Sequence, residues 1–259
     1  MFNLLTAEKL KLQHSWKLWV CLGIFIFYPL LQLTGIIGEA NNGKELLQPV
    51  ETVINGATGV LMMAKIGAAI QLVIAVFISF IIGEEFQNGT IRNALSLGRS
   101  RAHYYFTKWL ISAGLTLIAM IIITLIGVIG YGAAFGFGEV AGVSDYMSYA
   151  VQVVIVQFLL MLSVTSVFVA LAFWARSSAM AIVWTSLFTI GTGFVPGIFQ
   201  KFEATKEITW WFTQSYMFYS NFASEWAISQ FPKMIFVSVV TIVVSSMLGY
   251  MVFSKTDIK

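Results

Sequence analysis

Two stretches of this chain, 66–83 and 109–138, contain no Asp, Glu, Lys or Arg and consist mostly of aliphatic and aromatic residues. An apolar run of about 18 residues or more, wound into a helix, matches the hydrocarbon thickness of a bilayer. Backbone amides inside lipid find no water, so such a run persists only with its hydrogen bonds closed internally, as in a helix. Hydropathy extends the pattern to six predicted spans, near 18–37, 64–83, 109–132, 148–174, 179–199 and 234–253. Only 10% of the residues are charged, against about 25% in ordinary soluble domains, which excludes a soluble enzyme. The expected fold class is an all-α polytopic membrane protein forming a single transmembrane domain over 1–259.

An even number of spans puts both termini on one side. Lys9, Lys11, Lys17, Arg92, Arg99, Arg101, Lys108, Arg176, Lys255 and Lys259 fall there, against Lys44, Lys65, Lys201, Lys206 and Lys233 opposite. That excess of bases places the termini in the cytoplasm, with Glu39, Glu45, Glu51, Glu139 and Asp145 outside. The net charge of +3 does not indicate nucleic acid, because the bases sit at span ends instead of forming a patch among exposed aromatics. Cys21, the only cysteine, lies in the first span, so neither an internal disulfide nor a CxxC motif is available. The first apolar run is too long for a signal peptide and lacks a small-x-small cleavage site, so it is expected to be retained.

Before the first span, residues 1–17 read as an interfacial helix. At about 100° per residue Phe2, Leu5, Leu12, Trp16 and Trp19 gather on one arc, with Glu8, Lys11, His14, Ser15 and Lys17 off it. Between the second and third spans lies EEFQNGTIRNALSLGRSR, the densely charged hairpin 84–101. Glu84 and Glu85 close the second span at a helix C-terminus, where the dipole disfavours negative charge by roughly 0.3–1 kcal/mol each. Cationic partners are required, and Arg92, Arg99 and Arg101 are the candidates. Asn88 and Gly89 signal a turn, Thr90 can cap a short helix that Gly98 ends, and Ser100 can cap the third span. Ile91 and Leu95 form an apolar edge at i and i+4, the format of a helix presented to a groove.

The order Glu84-Glu85, Gly89-Thr90, Leu95, Arg99-Ser100-Arg101 and Lys108 resembles the connection between the second and third spans of ABC-2 type transporter permeases. The resemblance implies that the N-terminal helix is an elbow and that 90–97 is a coupling helix docked on an ABC ATP-binding subunit. It implies two copies of that subunit, which would bind ATP and Mg, and a second permease, identical or related. It also implies extracellular helices within 200–232, a segment whose crowded aromatics fit either an interface belt or a re-entrant pair of helices. The chain departs from the family pattern at Leu97-Gly98, where many members have a proline. A multi-pass location in a bacterial cell membrane is expected.

The residues themselves agree that the energy source lies elsewhere. No GxxxxGK[ST] phosphate loop occurs, and no soluble stretch is long enough for a nucleotide-binding domain. The spans lack the buried Asp, Glu and His that proton-coupled carriers use. Gln152, Gln157, Ser163, Thr165 and Ser166 are expected to serve mainly as interhelical hydrogen-bond partners. No cofactor, metal or catalytic residue is expected in this chain. An intramembrane hydrolase is the competing reading, since Glu84-Glu85 invites comparison with CAAX-type proteases, but Gly89 stands at their EExxxR arginine position. A passive channel is the other, without ring-forming interior charges to support it.

At the outer side, Pro196 is expected to break the fifth span. Trp210, Trp211, Tyr216 and Phe222 follow it within 200–232 and, with Pro196, are the outer-gate candidates. The uncharged interior suits an amphipathic or hydrophobic cargo. Small permeases of this type resemble exporters of antimicrobial or amphipathic peptides, including self-protection systems.

Overall fold

The computed structural model describes residues 2–41, 55–64, 67–140, 143–219, 222 and 225–255. Lys44, Glu45, Glu51, Lys65 and Lys259, and the side chains of Phe2 and Glu39, lie outside the described residues. Among those described there is no strand. In chain order the elements are α1 (Phe2–Gln13), α2 (Trp16–Asn41), α3 (Gly56–Ala64), α4 (Ala68–Gln87), α5 (Thr90–Ser96), α6 (Arg101–Phe135), α7 (Tyr146–Ala175), α8 (Ser178–Phe199), a 3-10 helix (Glu203–Trp211), α9 (Thr213–Tyr219) and α10 (Glu225–Lys255). Six of them, α2, α4, α6, α7, α8 and α10, are long and apolar enough to cross a membrane.

The central helix is α7, which packs against α4, α6, α8 and α10. Its Val153, Leu160, Val164, Phe168 and Ala172 are buried. By contrast α2 turns Trp16, Trp19, Val20, Phe27 and Leu31 outward. An apolar surface of this kind is at no disadvantage in lipid, whereas in water it would mark an interface. Hydroxyl groups tie the interior together. Thr116 and Thr165 share a 2.9 Å hydrogen bond between α6 and α7, and the Trp109 indole donates to Ser166 Oγ at 2.9 Å. Ser163 instead bonds its own helix at Leu160, and Gln152 is exposed.

Small residues set the closest approaches. A Cβ at Gly83 of α4 would fall 2.3 Å from the backbone nitrogen of Ser178, where α8 begins. The α7–α8 corner supplies that backbone through Arg176, which takes a left-handed φ of 53°. Near the other end of the bundle, Gly132 of α6 meets Gly56 of α3 backbone to backbone. Nothing in the hydropathy announced α3, a nine-residue helix too short to span. Its start is fixed by Asn55, whose Oδ1 accepts from the Thr58 N–H at 2.9 Å.

Three sequence expectations change. The helix of the third span begins at Arg101, eight residues before the apolar run near 109, with Ser100 capping it as expected by accepting the His103 N–H. Helix α8 runs through Pro196 without breaking. Loss of one amide near a helix end is tolerable because neighbouring groups re-satisfy the freed carbonyl. The arc of Phe2, Leu5, Leu12, Trp16 and Trp19 is divided at Ser15, so that Trp16 and Trp19 belong to α2.

Because backbone atoms of Ser177 and Ser178 would have to yield, Gly83→Ala is expected to destabilise the protein by at least the roughly 1–3 kcal/mol of core overpacking. Gly114→Ala, in open space, should be neutral or slightly stabilising. Thermal unfolding of both variants in nanodiscs checks this; equal midpoints would contradict the close approach.

Candidate functional site

Helix α4 ends in two carboxylates, and the structure answers both with lysines. Glu85 is buried, and its two oxygens face three donors: Lys11 of α1, Lys108 of α6, whose ammonium is 2.7 Å away, and the Tyr104 hydroxyl. Lys108 lies 2.7 Å from Glu8 of α1 as well. At 1% side-chain exposure this ammonium has almost no water, so its two carboxylates are its solvent. Glu8, Glu85, Lys11 and Lys108 sum to zero charge. Alongside them Glu84 pairs with Lys17 of α2, and the Lys17 ammonium also rests 4.8 Å from the centroid of the Phe80 ring.

The arginines expected to neutralise Glu84 and Glu85 do other things. Arg101 donates to the carbonyls of Phe253 and Ser254 at 3.0 and 2.6 Å, completing the C-terminal end of α10. Arg92 and Arg99 are exposed, and neither forms an ion pair among the described residues.

Helix α1 is turned differently from its expected orientation. Glu8 is buried and Leu5 and Leu12 are half-buried, whereas Leu10 is exposed. Positions 5, 8 and 12 lie within about 60° of each other on a helical wheel, so one face carries both the apolar contacts and the carboxylate.

Behind the charges lies an aromatic layer that joins four helices. Phe86 of α4 meets Phe173 of α7 and Phe253 of α10 edge to face, at 6.0 and 6.2 Å between centroids. Phe173 and Phe253 stand 4.7 Å apart, and Tyr104 of α6 is 6.0 Å from Phe253. Gln87 adds hydrogen bonds to Ser177 and Ser178 at the start of α8.

Beyond this layer projects α5. The turn before it uses Gly89 in the left-handed region, φ 69°, and Gly89 is the N-cap. Thr90 is therefore the first helical residue, and α5 closes at Ser96 with Leu97 as its C-cap. Ile91 is fully buried and Leu95 half-buried, so the expected apolar edge faces the bundle. What projects is Leu97, 83% exposed, held out by Gly98 at φ 81° and flanked by Arg92, Arg99 and Asn93.

At the opposite end the outer-gate candidates separate. Pro196 is buried inside α8, Tyr216 and Phe222 are buried, and Trp210 packs against Tyr216 and Trp226 with centroids 5.2 and 4.8 Å apart. Trp211 faces outward, with the Lys233 ammonium 5.7 Å from its ring centroid. Burial first, and then the Glu207 carboxylate, push the Tyr216 phenol up to about 12, so it remains a neutral hydroxyl.

Glu84 and Glu85 are engaged by lysines, His14 bonds Leu10 O, and His103 bonds Ser100. Among the described residues no hydrolytic arrangement forms around the carboxylate pair. Among the described residues no three His, Cys, Asp or Glu side chains gather as a metal-binding group. Glu8, Lys11, Lys17, Tyr104 and Lys108 are the members that sequence reasoning left out of the site. The position of Glu8 on the Leu5–Leu12 face was the available signal.

Residues 4–192 match a family model described as ABC-2 family transporter protein. The match runs from α1 to within α8 and takes in the whole charged end. No curated protein matches the chain.

Removing Glu85 strands the buried Lys108 charge with Glu8 alone. Glu85→Ala is expected to cost about 3–5 kcal/mol, against roughly 0–1 kcal/mol for Glu84→Ala at the partly exposed pair. Thermal midpoints in nanodiscs give the comparison. Equal losses, or a larger loss at Glu84, would contradict the hierarchy.

Proposed function

The chain belongs to the ABC-2 family of transporter proteins, a family of membrane components that work with an ABC ATPase subunit, and on that premise we propose that it is the permease of an ATP-driven exporter. Two ATPase subunits holding ATP and Mg would dock on α5, and a second permease, identical or related, would complete the path. The observation that carries this reading is the union of one projecting helix with one buried ion cluster. Helix α5 hangs from α4, and α4 is joined through Glu85 to α1 by Lys11 and to α6 by Lys108. A push on α5 therefore reaches the elbow and two spans through bonds that are costly to break. Closure of the ATPase pair would tilt these elements together and switch the path between inward and outward states.

The termini and α5 would face the cytoplasm, as the excess of Lys and Arg at that end favours. Segment 200–232, with its 3-10 helix and α9, would lie re-entrant at the outer side and gate the path with Trp210, Tyr216 and Phe222. The cargo would be an amphipathic or hydrophobic peptide, which the absence of charged side chains from the middles of the spans favours.

Leu97 and its flanking arginines offer an apolar knob with basic neighbours to an ATPase groove. Leu97→Asp is expected to weaken association with the ATPase by about tenfold, the factor given by about 1.4 kcal/mol of lost contact. The fold should be unchanged, since the side chain touches water. Pull-down titration of the two subunits measures it, and an unchanged affinity would remove Leu97 from the contact. In proteoliposomes, cargo export should require the ATPase and Mg-ATP. Nucleotide-independent uptake or export by the permease alone would overturn the exporter reading.

A further inference from the structure

At the end of the bundle away from the ion cluster, glutamines from three helices lie inside the protein. Gln214 of α9 donates through Nε2 to Gln71 Oε1 of α4 at 2.9 Å, and Gln71 Nε2 lies 3.4 Å from Met217 Sδ. Gln157 belongs to α7, against which both α4 and α9 pack. As the second and fourth spans, α4 and α7 run in the same direction, and Phe86 and Phe173 fix their register. Fifteen residues back from that contact the two helices reach Gln71 and Phe158. With an equal rise per residue, Gln71 and Gln157 lie at about the same depth, roughly 22 Å from the aromatic layer.

All these side chains, together with Ser215, are at most 1% exposed. Even so, Gln157 Nε2 and Oε1, Gln214 Oε1 and Ser215 Oγ have no hydrogen-bond partner among the described residues. A buried polar group left unmade forfeits its hydration without replacement, so four near one level are an expensive feature in a bundle whose other hydroxyls are mostly satisfied. The set offers a donor amide nitrogen, two acceptor carbonyls and a hydroxyl that can do either, with no formal charge. A metal cation would want oxygen ligands with carboxylates among them, and an anion would want donors alone. A peptide group, with one N–H and one C=O, uses both kinds.

We propose that Gln157, Gln214 and Ser215 form a binding niche for the peptide group of a neutral cargo in the outer part of the bundle, closed by the Gln71–Gln214 hydrogen bond. The inference rests on the exporter reading and names the chemistry its path recognises. Opening requires α9 to release Gln71, which frees a second amide for the incoming peptide group. The cargo then replaces the protein's own amide pair with equivalent bonds.

The test uses the full chain in nanodiscs without nucleotide and two probes, a dansylated trileucine amide and its analogue with the central peptide N–H replaced by an ester oxygen. A site built for an amide rejects the analogue that lacks its donor. The amide is expected to bind, and the ester to bind at least about tenfold more weakly. Gln157→Leu should weaken amide binding about tenfold with no loss of thermal midpoint, because its amide has no bond to lose. Gln152→Leu, at an exposed position of the same helix, should bind as wild type does. Equal affinity for amide and ester, unchanged binding by Gln157→Leu, or no amide binding to wild type would each overturn the niche, leaving water as its only occupant. ATP-dependent export is scored separately with the ATPase complex, so loss of the exporter reading is seen there and not in these affinities.

Discussion

Lys108 is the charge around which the polar end of this protein is arranged. Its ammonium is withdrawn from water into the start of α6 and is stable there only because Glu8 and Glu85 both stand 2.7 Å away. A buried ion with two carboxylate partners from different helices fixes those helices to each other more strictly than apolar packing does, since sliding them would strand a charge. Around this point Lys11 and Tyr104 hold Glu85, the aromatic layer of Phe86, Phe173 and Phe253 keeps the cluster dry on one side, and α5 hangs from the same helix end.

The two ends of the bundle use polar groups in opposite ways. At the charged end Glu8, Glu84 and Glu85 each meet a lysine of another helix, so the elements there are joined. At the far end neutral amides lie buried with part of their capacity unused, beside the short helix α9, which an amide pair joins to α4 and which packs on α7, α8 and α10. Neutral amide pairs are weaker than charge-assisted bonds, so the far end is the one able to rearrange. In the exporter proposed above, the stiff end would receive force and the yielding end would open.

Much of this was legible in the sequence. The six apolar runs predicted the six long helices because lipid leaves a backbone no other option, and Ser100, read as a cap of the third span, does cap α6. Glu84 and Glu85 advertised a need for cations. Their partners were not legible, because Lys11 and Lys17 are close to Glu84 and Glu85 only after α1 and α2 fold back against α4, and hydropathy carries no such long-range information. Glu8 was assigned to the solvent side although it shares a face with Leu5 and Leu12. Ile91 looked like a presented edge and is instead buried, while Leu97, outside the helical pattern, projects. Pro196 was read as a break from local propensity, which overlooks how readily a span accommodates a proline near its end.

The claim that α1, α4, α5 and α6 move as one piece is tested most directly by spin labels at the exposed positions Ala7 and Ser96, with distances measured in the assembled complex before and after trapping with ATP and vanadate. A unit pinned at Lys108 predicts that the Ala7–Ser96 distance changes by no more than label rotamers allow, while the distance between Ser96 of one permease and Ser96 of the second shifts. A nucleotide-driven change in the Ala7–Ser96 distance as large as the one between permeases would contradict it.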